Sequence, residues 1–178
     1  MNLISTLNFL LEEFNRHKVN YAIIGGLALP SAGVTRATID IDMLVLIDDK
    51  EKVKTVLKKK GYELRYETID ILNFFGTETN QGRIDFIVAH RKHARAILQR
   101  AKEFTILGHD KVKVVTIEDQ IGMKVQSSSN DKERYFKDMS DIELIIRNNK
   151  DKINIDLIRE YFKLFNREQD LEKILSGI

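Results

Sequence analysis

Residues 23–45 read I-I-G-G-L-A-L-P-S-A-G-V-T-R-A-T-I-D-I-D-M-L-V. The stretch begins as a short apolar strand that stops at Gly25 and Gly26, and it ends in a second strand that carries Asp40 and Asp42. Side chains alternate between the two faces of a strand, so the two carboxylates point one way and their apolar neighbours point the other way. Two ionised carboxylates on one face of a buried strand repel each other and lose hydration, and a divalent cation is the usual compensation.

The two glycines predict a second feature of the same site. Without a Cβ atom, Gly25 and Gly26 let the backbone approach a ligand closely and leave N–H groups available to an anion. Taken alone, the glycine pair is an ordinary turn and the aspartate pair is an exposed strand edge. Together, a phosphate-binding turn and two metal-binding carboxylates predict a site for a nucleoside triphosphate and magnesium.

Other candidate metal ligands occur later in the chain. Asp85 stands among apolar residues in the run 84–88, so this carboxylate also needs a partner. Asp70, in Thr-Ile-Asp-Ile-Leu, is the alternative, but it is placed where a strand begins and its strand is less apolar. His90 and His93 have no third ligand nearby, so we interpret them as solvated surface residues rather than zinc ligands.

The combined pattern resembles the signature of the DNA polymerase β-like nucleotidyltransferase superfamily. The resemblance rests on Gly-Gly after an apolar strand, and on Asp-apolar-Asp-apolar with Arg36 and Thr38 just ahead. In that superfamily the glycine turn holds the triphosphate, the acidic pair binds Mg²⁺, and a third acidic residue on a neighbouring strand completes the site. The resemblance therefore implies two Mg²⁺ ions, with Mn²⁺ as the alternative ion, held by Asp40, Asp42 and Asp85. It also implies nucleotide contacts from Gly25, Gly26, Arg36 and Thr38.

A second group of charged residues lies in the later, helical part of the sequence. Arg134, Asp138 and Asp141 are spaced so that they share one helix face, and Lys124 precedes them. The alternative interpretation is a surface ion-pair ladder, which contributes roughly 0.2–1 kcal/mol per pair. The run from Ile117 to Lys124, followed by Arg-x-x-Lys-Asp-x-x-Asp-Ile, resembles the later motifs of the AbiEii-type nucleotidyltransferase toxin family.

That second resemblance covers about residues 20–145 and gives the charged group a role. It implies that Lys124 is catalytic and neutralises the nucleotide phosphates. It further implies that Asp138 or Asp141 positions the nucleotide or the acceptor, and that Arg134 orients this acidic pair. Gly26 departs from the family pattern, because many of these toxins have serine at that place.

The composition is that of an ordinary soluble globular protein: 178 residues, 43% hydrophobic, 31% charged, with a net charge of +2. No apolar run approaches the roughly 18 residues of a membrane span. The amino-terminal pattern predicts an amphipathic helix rather than a signal peptide, so we expect a cytoplasmic protein with no membrane partner. The absence of cysteine excludes disulfides, thiolate metal sites and cysteine nucleophiles.

The predicted fold is α/β (α+β), with a small mixed β-sheet and flanking helices in residues 1–115. A helical carboxy-terminal lobe over residues 116–178 is expected to pack on this core. The pattern predicts strands near residues 19–24, 38–47, 62–66, 69–75 and 84–88, and a hairpin within 104–115. It predicts helices at the amino terminus, after Asp48, over 89–102 and through most of 116–178, with a break at 127–130.

These features predict a Mg²⁺-dependent nucleotidyltransferase that moves a nucleoside monophosphate from an NTP to an acceptor hydroxyl. The toxin resemblance implies an RNA acceptor such as tRNA, a toxin–antitoxin or phage-defence system, and a cognate antitoxin as partner. Basic stretches within residues 50–60 and 91–113 agree with a polyanion, although solvated helix faces explain each stretch taken alone. The alternatives are a small-molecule nucleotidyltransferase that modifies an antibiotic, and a catalytically silent nucleotide-binding module. The presence of all three candidate metal ligands argues against the silent module.

Overall fold

The computed structural model describes residues 2–178. Its helices are α1 (Leu3–Arg16), α2 (Gly25–Ala28), α3 (Lys50–Lys59), α4 (Lys92–Arg100), α5 (Ile117–Asn130), α6 (Tyr135–Asn149), α7 (Ile155–Leu164) and α8 (Glu168–Ser176). Its strands are β1 (Tyr21–Ile24), β2 (Ile41–Leu46), β3 (Tyr62–Glu67), β4 (Ile71–Gly76), β5 (Arg83–Ala89), β6 (Lys102–Ile106) and β7 (His109–Val114). Short 3₁₀ turns occupy Leu29–Ala32, Ile47–Asp49 and Lys132–Arg134. Within these residues no helix combines the length and the apolar character needed to cross a membrane.

The strands of the described residues form one seven-stranded sheet in the order β3-β4-β5-β2-β1-β7-β6. β2 runs parallel to β5 and antiparallel to β1, while antiparallel pairing joins β3 to β4 and β6 to β7. This mixed sheet with flanking helices confirms the predicted α/β fold. Because β2 and β5 are neighbours inside the sheet, the two strands that carry the candidate metal ligands lie side by side.

The chain divides into two compact units, and the first contains the sheet. This unit comprises the chain up to Ala28 together with Arg36–Val115. Its core combines buried strand residues with side chains that α1 and α3 present at helical spacing, namely Leu7, Leu10, Phe14, Val53 and Leu57. Asn2 caps α1, since its side-chain oxygen accepts a hydrogen bond from the Ser5 N–H at 3.1 Å.

The second unit comprises Leu29–Thr35 and Thr116–Ile178. Its own core is built from α5, α6, α7 and α8 and includes Ile121, Ile142, Ile145, Phe162 and Leu171. Thr116 caps α5, because its hydroxyl oxygen accepts a hydrogen bond from the Asp119 N–H.

The predicted break at residues 127–130 is wrong, because α5 continues to Asn130. The hydroxyls of Ser128 and Ser129 donate hydrogen bonds back to the Val125 carbonyl, at 3.0 Å and 2.7 Å. Serine bonded to its own helix in this way is compatible with helical backbone, so the polar run does not end the helix.

Two further boundaries differ from the prediction. α4 begins at Lys92 rather than at Ala89, because strand β5 itself extends to Ala89. Asp49 directly precedes α3 as predicted, but its side chain makes no capping hydrogen bond. The Asp49 carboxylate instead accepts hydrogen bonds from the backbone and side-chain nitrogens of Asn20, at 2.8 Å and 2.9 Å.

Candidate active site

The carboxylates of the two acidic strands meet at one place on the sheet. Asp42 of β2 is the register partner of Asp85 in β5 and of Ile24 in β1. Asp85 is in turn the register partner of Asn73 in β4. Cross-strand partners point to the same face of a sheet, so Asn73, Asp85 and Asp42 form a polar row across three adjacent strands.

Asp40 joins this row to complete a group of three carboxylates with Asp42 and Asp85. In the part of the chain that the structure describes, one oxygen from each lies within 4.8 Å of the other two, and all three residues are partly buried. Oxygens that share one Mg²⁺ at about 2.1 Å are separated by roughly 3–4 Å, so the group fits a divalent ion after small adjustments. The Thr38 hydroxyl donates a hydrogen bond to Asp40 Oδ1 at 2.7 Å and so orients that carboxylate.

Asp85 is held by two further side chains on the same sheet face. Arg83 Nε lies 2.8 Å from Asp85 Oδ1 and 2.6 Å from Oδ2, and Asn73 Nδ2 donates to Oδ1 at 2.5 Å. The hydrogen bond to Asp85, reinforced by the nearby charges of Asp85, Asp40 and Asp42, raises the pKa of Arg83 above its ordinary value. Arg83 therefore supplies a positive charge from the protein itself beside the three carboxylates.

The glycine turn packs directly against the candidate metal ligands. Gly25 has a positive φ of 64°, and a Cβ built there would lie 2.1 Å from Asp42 Oδ2. A Cβ built at Gly26 would lie 2.7 Å from Thr38 Oγ1. Both positions therefore need glycine, because the side chains of Asp42 in β2 and of Thr38 in the segment before β2 already fill the space. At position 26 that space is filled by the Thr38 hydroxyl, which explains the absence of a serine at this place.

Gly25→Ala is expected to lower both the stability of the protein and its affinity for a divalent ion. An L-residue in the left-handed region costs about 1–2 kcal/mol, and the new Cβ would also displace the Asp42 carboxylate. Gly108→Ala is the matched control, since Gly108 has a φ of 83° but a Cβ there meets nothing within 4 Å. Thermal unfolding should show a loss in both variants, whereas Mn²⁺ titration should show weaker binding in Gly25→Ala alone. Equal Mn²⁺ affinity in the two variants would contradict the close approach.

The second charged group also comes together, inside the helical unit. Lys124 Nζ lies 2.6 Å from Asp141 Oδ2 and 3.3 Å from Asp138 Oδ1, and Arg134 Nε lies 3.3 Å from Asp138 Oδ2. Lys124 is 8% exposed and Asp138 is 0% exposed. Lys124, Asp138 and Asp141 thus form a buried ion-pair cluster and not a surface ladder, and Arg134 contacts this cluster from the exposed side. The implied contacts of Lys124, Arg134, Asp138 and Asp141 with a nucleotide stay predictions.

Asp70, the alternative third carboxylate, has other partners. Its Oδ1 lies 2.6 Å from His90 Nε2, and its Oδ2 lies 3.4 Å from Arg91. His90 is therefore not the solvated surface residue that the sequence suggested, because its side chain is largely shielded and contacts a carboxylate. The geometry groups Asp85, and not Asp70, with the aspartates of the acidic strand.

Arg83 and Asn73 were not among the residues predicted from sequence, although each has a recognisable signal there. Arg83 stands two residues before Asp85 and so shares its strand face, and Asn73 interrupts an apolar strand. The pairing of β4 with β5, which joins Asn73 to Asp85, is a long-range contact that no local pattern reveals. Arg36, implied as a nucleotide contact, is partly buried in the segment that precedes β2, and its role stays a prediction.

Solved structures with the same fold include nucleotidyltransferases of similar length. The antibiotic-resistance factor ANT(2″)-Ia, in solution, is 16% identical with a TM-score of 0.70, and the match covers 98% of this chain and 97% of that one. A nucleotidyltransferase-like antigenic protein from Paracoccidioides brasiliensis is 19% identical, with a TM-score of 0.59 and coverage of 96% and 91%. The lincosamide antibiotic adenylyltransferase LnuA, bound to lincomycin, is 18% identical, with a TM-score of 0.56 and coverage of 78% and 93%. At these identities the likeness establishes the fold alone.

Sequence comparison establishes the family. No curated protein matches the chain. The family described as "Nucleotidyl transferase of unknown function (DUF2204)" matches residues 4–177. This match confirms the predicted superfamily and enzyme class, whereas the AbiEii-type assignment stays a prediction. The chain belongs to the DUF2204 family of nucleotidyl transferases.

Proposed function

We propose that the protein transfers a nucleoside monophosphate from an NTP to an acceptor hydroxyl in a Mg²⁺-dependent reaction. The observation that supports this most directly is the close grouping of Asp40, Asp42 and Asp85 next to the glycine turn. Hard oxygen ligands of this kind suit Mg²⁺ or Mn²⁺. When bound, a pair of such ions lowers the pKa of the attacking hydroxyl and stabilises the charge of the departing pyrophosphate.

The side chains around the metal ligands have separate tasks in this proposal. The backbone N–H groups at Gly25 and Gly26 bind the triphosphate, which approaches closely because no Cβ intervenes. Thr38 fixes Asp40 through its 2.7 Å hydrogen bond. Asp85, oriented by its two donors, accepts the proton of the acceptor hydroxyl.

The test of the proposed function is incubation with each labelled NTP and Mg²⁺, with and without bulk tRNA. Pyrophosphate release that requires Mg²⁺ and the transfer of label to an added acceptor are the expected results. If no NTP binds in the presence of Mg²⁺ or Mn²⁺, the proposal is wrong whatever the acceptor. The distribution of label between tRNA and small molecules then separates the two acceptor classes.

An RNA acceptor, such as tRNA, is the first candidate and would suit a toxin with a cognate antitoxin. Exposed basic residues of α3 and α4, including Lys58, Lys59 and Lys92, support it because a polyanion is drawn towards positive charge.

Reversing charge in α4 tests the RNA candidate. If RNA binds there, Lys92→Glu with Arg95→Glu should reduce RNA labelling and leave NTP binding unchanged. Each lost phosphate contact should reduce the slope of log K against log salt by roughly 0.7 for a single strand. Filter binding of labelled tRNA over a salt series measures that slope, and Mn²⁺–ATP titration is the control. Wild-type labelling by the variant, or a salt slope near zero, would exclude RNA.

A small hydroxyl compound is the second candidate, and the ion pairs of the sheet unit favour it. Several of the basic residues contact carboxylates: Lys50 and Lys54 contact Glu67, Arg91 contacts Asp70, and Arg95 contacts Asp48. Paired cations attract a polyanion less strongly than unpaired ones. The similar ANT(2″)-Ia has been solved in complex with adenylyl-2″-tobramycin, so this fold also serves a small acceptor.

A further inference from the structure

One face of strands β4 and β5, beside the candidate metal site, carries exposed apolar residues as well as polar ones. Ile71, Phe75 and Ile87 are 37%, 41% and 38% exposed, whereas the alternate residues Leu72, Phe74 and Phe86 are fully buried. A sheet with one covered face normally carries polar residues on its other face. Packing within the sheet therefore does not explain the exposed apolar residues on this face.

These residues surround Asp85 in a regular arrangement. Along β4 and β5 the consecutive same-face pairs are Ile71 with Ile87, Asn73 with Asp85, and Phe75 with Arg83. We call this set of six residues the acceptor face. Successive same-face positions in a strand are about 7 Å apart, so the face spans roughly 14 Å with the carboxylate in the middle. That length suits a compound of one or two rings.

Arg83 joins the carboxylate to the aromatic end of the acceptor face. Its Nε contacts both oxygens of Asp85, while its guanidinium carbon lies 5.7 Å from the centroid of the Phe75 ring. The guanidinium therefore contacts the Asp85 carboxylate and the Phe75 ring at the same time, and it restricts the movement of the ring. A ring compound stacked on Phe75 would have a hydroxyl within reach of Asp85.

The charges around the acceptor face argue against a polyanionic ligand. The arginines of β3 and β5, and Arg91 just after β5, each contact a nearby carboxylate: Arg65 contacts Glu63, Arg83 contacts Asp85, and Arg91 contacts Asp70. Lys50 is likewise paired with Glu67 at the end of β3. This surface therefore offers a ligand apolar contacts and hydrogen bonds, but no excess of positive charge that would attract a polyanion.

We propose that the acceptor face binds an uncharged hydroxyl compound with a flat ring, and that Phe75, Ile71 and Ile87 determine its specificity. The inference rests on the proposed function, since it places the acceptor hydroxyl at the carboxylate that takes its proton. Ring stacking on Phe75 supplies orientation, and Ile71 and Ile87 contact the other end of the compound. The same arrangement disfavours RNA, because the cations beside the acceptor face are already paired with carboxylates.

The test uses p-nitrophenyl β-D-glucopyranoside as the uncharged probe and an oligoadenylate as the polyanionic one. Both are titrated into the 178-residue protein saturated with Mg²⁺ and a non-hydrolysable analogue of the NTP that it binds, and the isoleucine methyl resonances are followed by NMR. The glucoside should shift the Ile71 and Ile87 methyl signals in a saturable manner, and the oligoadenylate should not. Phe75→Ala should weaken glucoside binding roughly fivefold, the loss expected for one aromatic stacking contact.

The matched control is Leu107→Ala, which removes a side chain of similar exposure, 43%, from the turn between β6 and β7 at the other edge of the sheet. Unchanged Ile71 and Ile87 signals with the glucoside, or equal affinity in Phe75→Ala and Leu107→Ala, would overturn the inference. So would shifts caused by the oligoadenylate, or shifts that depend only on protein concentration and indicate a second copy of the chain. Binding of each NTP in the presence of Mg²⁺ is measured first, so failure of all of them to bind would refute the proposed function rather than the acceptor face.

Discussion

Asp42→Asn is expected to reduce kcat/KM for nucleotidyl transfer by about two to three orders of magnitude or more. Asp42 lies in the middle of the polar row, paired in register with Asp85 and next to Gly25. An amide removes one negative charge where the metal ions are expected to bind, so both metal affinity and the stabilisation of pyrophosphate should fall. Single-turnover transfer with labelled NTP measures the loss, and Mn²⁺ titration separates weaker metal binding from slower chemistry.

The same substitution should leave the fold intact in metal-free buffer. Three carboxylates that share a partly buried site repel one another, so replacing one by its neutral isostere removes repulsion and leaves stability unchanged or slightly higher. Adding Mg²⁺ should then stabilise the wild type more than the variant. An ion that binds the native state raises the free energy of unfolding by an amount that grows with its affinity, and the wild type should bind Mg²⁺ more tightly. Asp70→Asn is the matched control, since Asp70 belongs to the same sheet unit but contacts His90. Loss of folding in Asp42→Asn, or equal activity losses in both variants, would contradict the assigned role.

The acidic strand and the glycine turn were readable from sequence because their signals are local. The period of two predicts Asp40 and Asp42 on one strand face, although Asp40 lies just before β2 rather than in it. Gly-Gly after an apolar run predicts a turn without side chains. The third carboxylate was less certain, since Asp70 and Asp85 both stand in strand-like sequence. Only the parallel pairing of β2 with β5, with Asp42 opposite Asp85, groups the latter with the pair.

The partners of the predicted residues could not be obtained in the same way. The sequence places Arg83 on the same strand face as Asp85. An arginine side chain in a strand can, however, point into solvent as readily as it can contact a carboxylate. Similarly, the spacing of Asp138 and Asp141 predicts a shared helix face without telling whether that face is exposed. Their burial depends on α5 packing against α6, which brings Lys124 to them across a sequence separation too long for local rules.

Lys124→Met is expected to lower the free energy of unfolding by about 3–5 kcal/mol, because it leaves two carboxylates buried without their lysine. Asp138 and Asp141 have side chains 0% and 6% exposed, so water cannot replace the lost ammonium group. Chemical denaturation monitored by circular dichroism measures the change.

A rescue variant distinguishes this structural role from a direct role towards the nucleotide. Lys124→Met combined with Asp138→Asn and Asp141→Asn removes the buried charges together, so much of the lost stability should return, since neutral groups are less costly to bury than an unpaired charge. If Lys124 also neutralises the triphosphate, the restored fold should still bind the Mg²⁺–nucleotide complex weakly. Arg134→Ala is the matched control for charge loss at the same cluster, because its half-exposed side chain reaches Asp138 from the solvent side and its removal should cost far less stability. If the single variant Lys124→Met is as stable as the wild type, the two carboxylates do not depend on the lysine. The structural role assigned to the buried cluster would then be wrong.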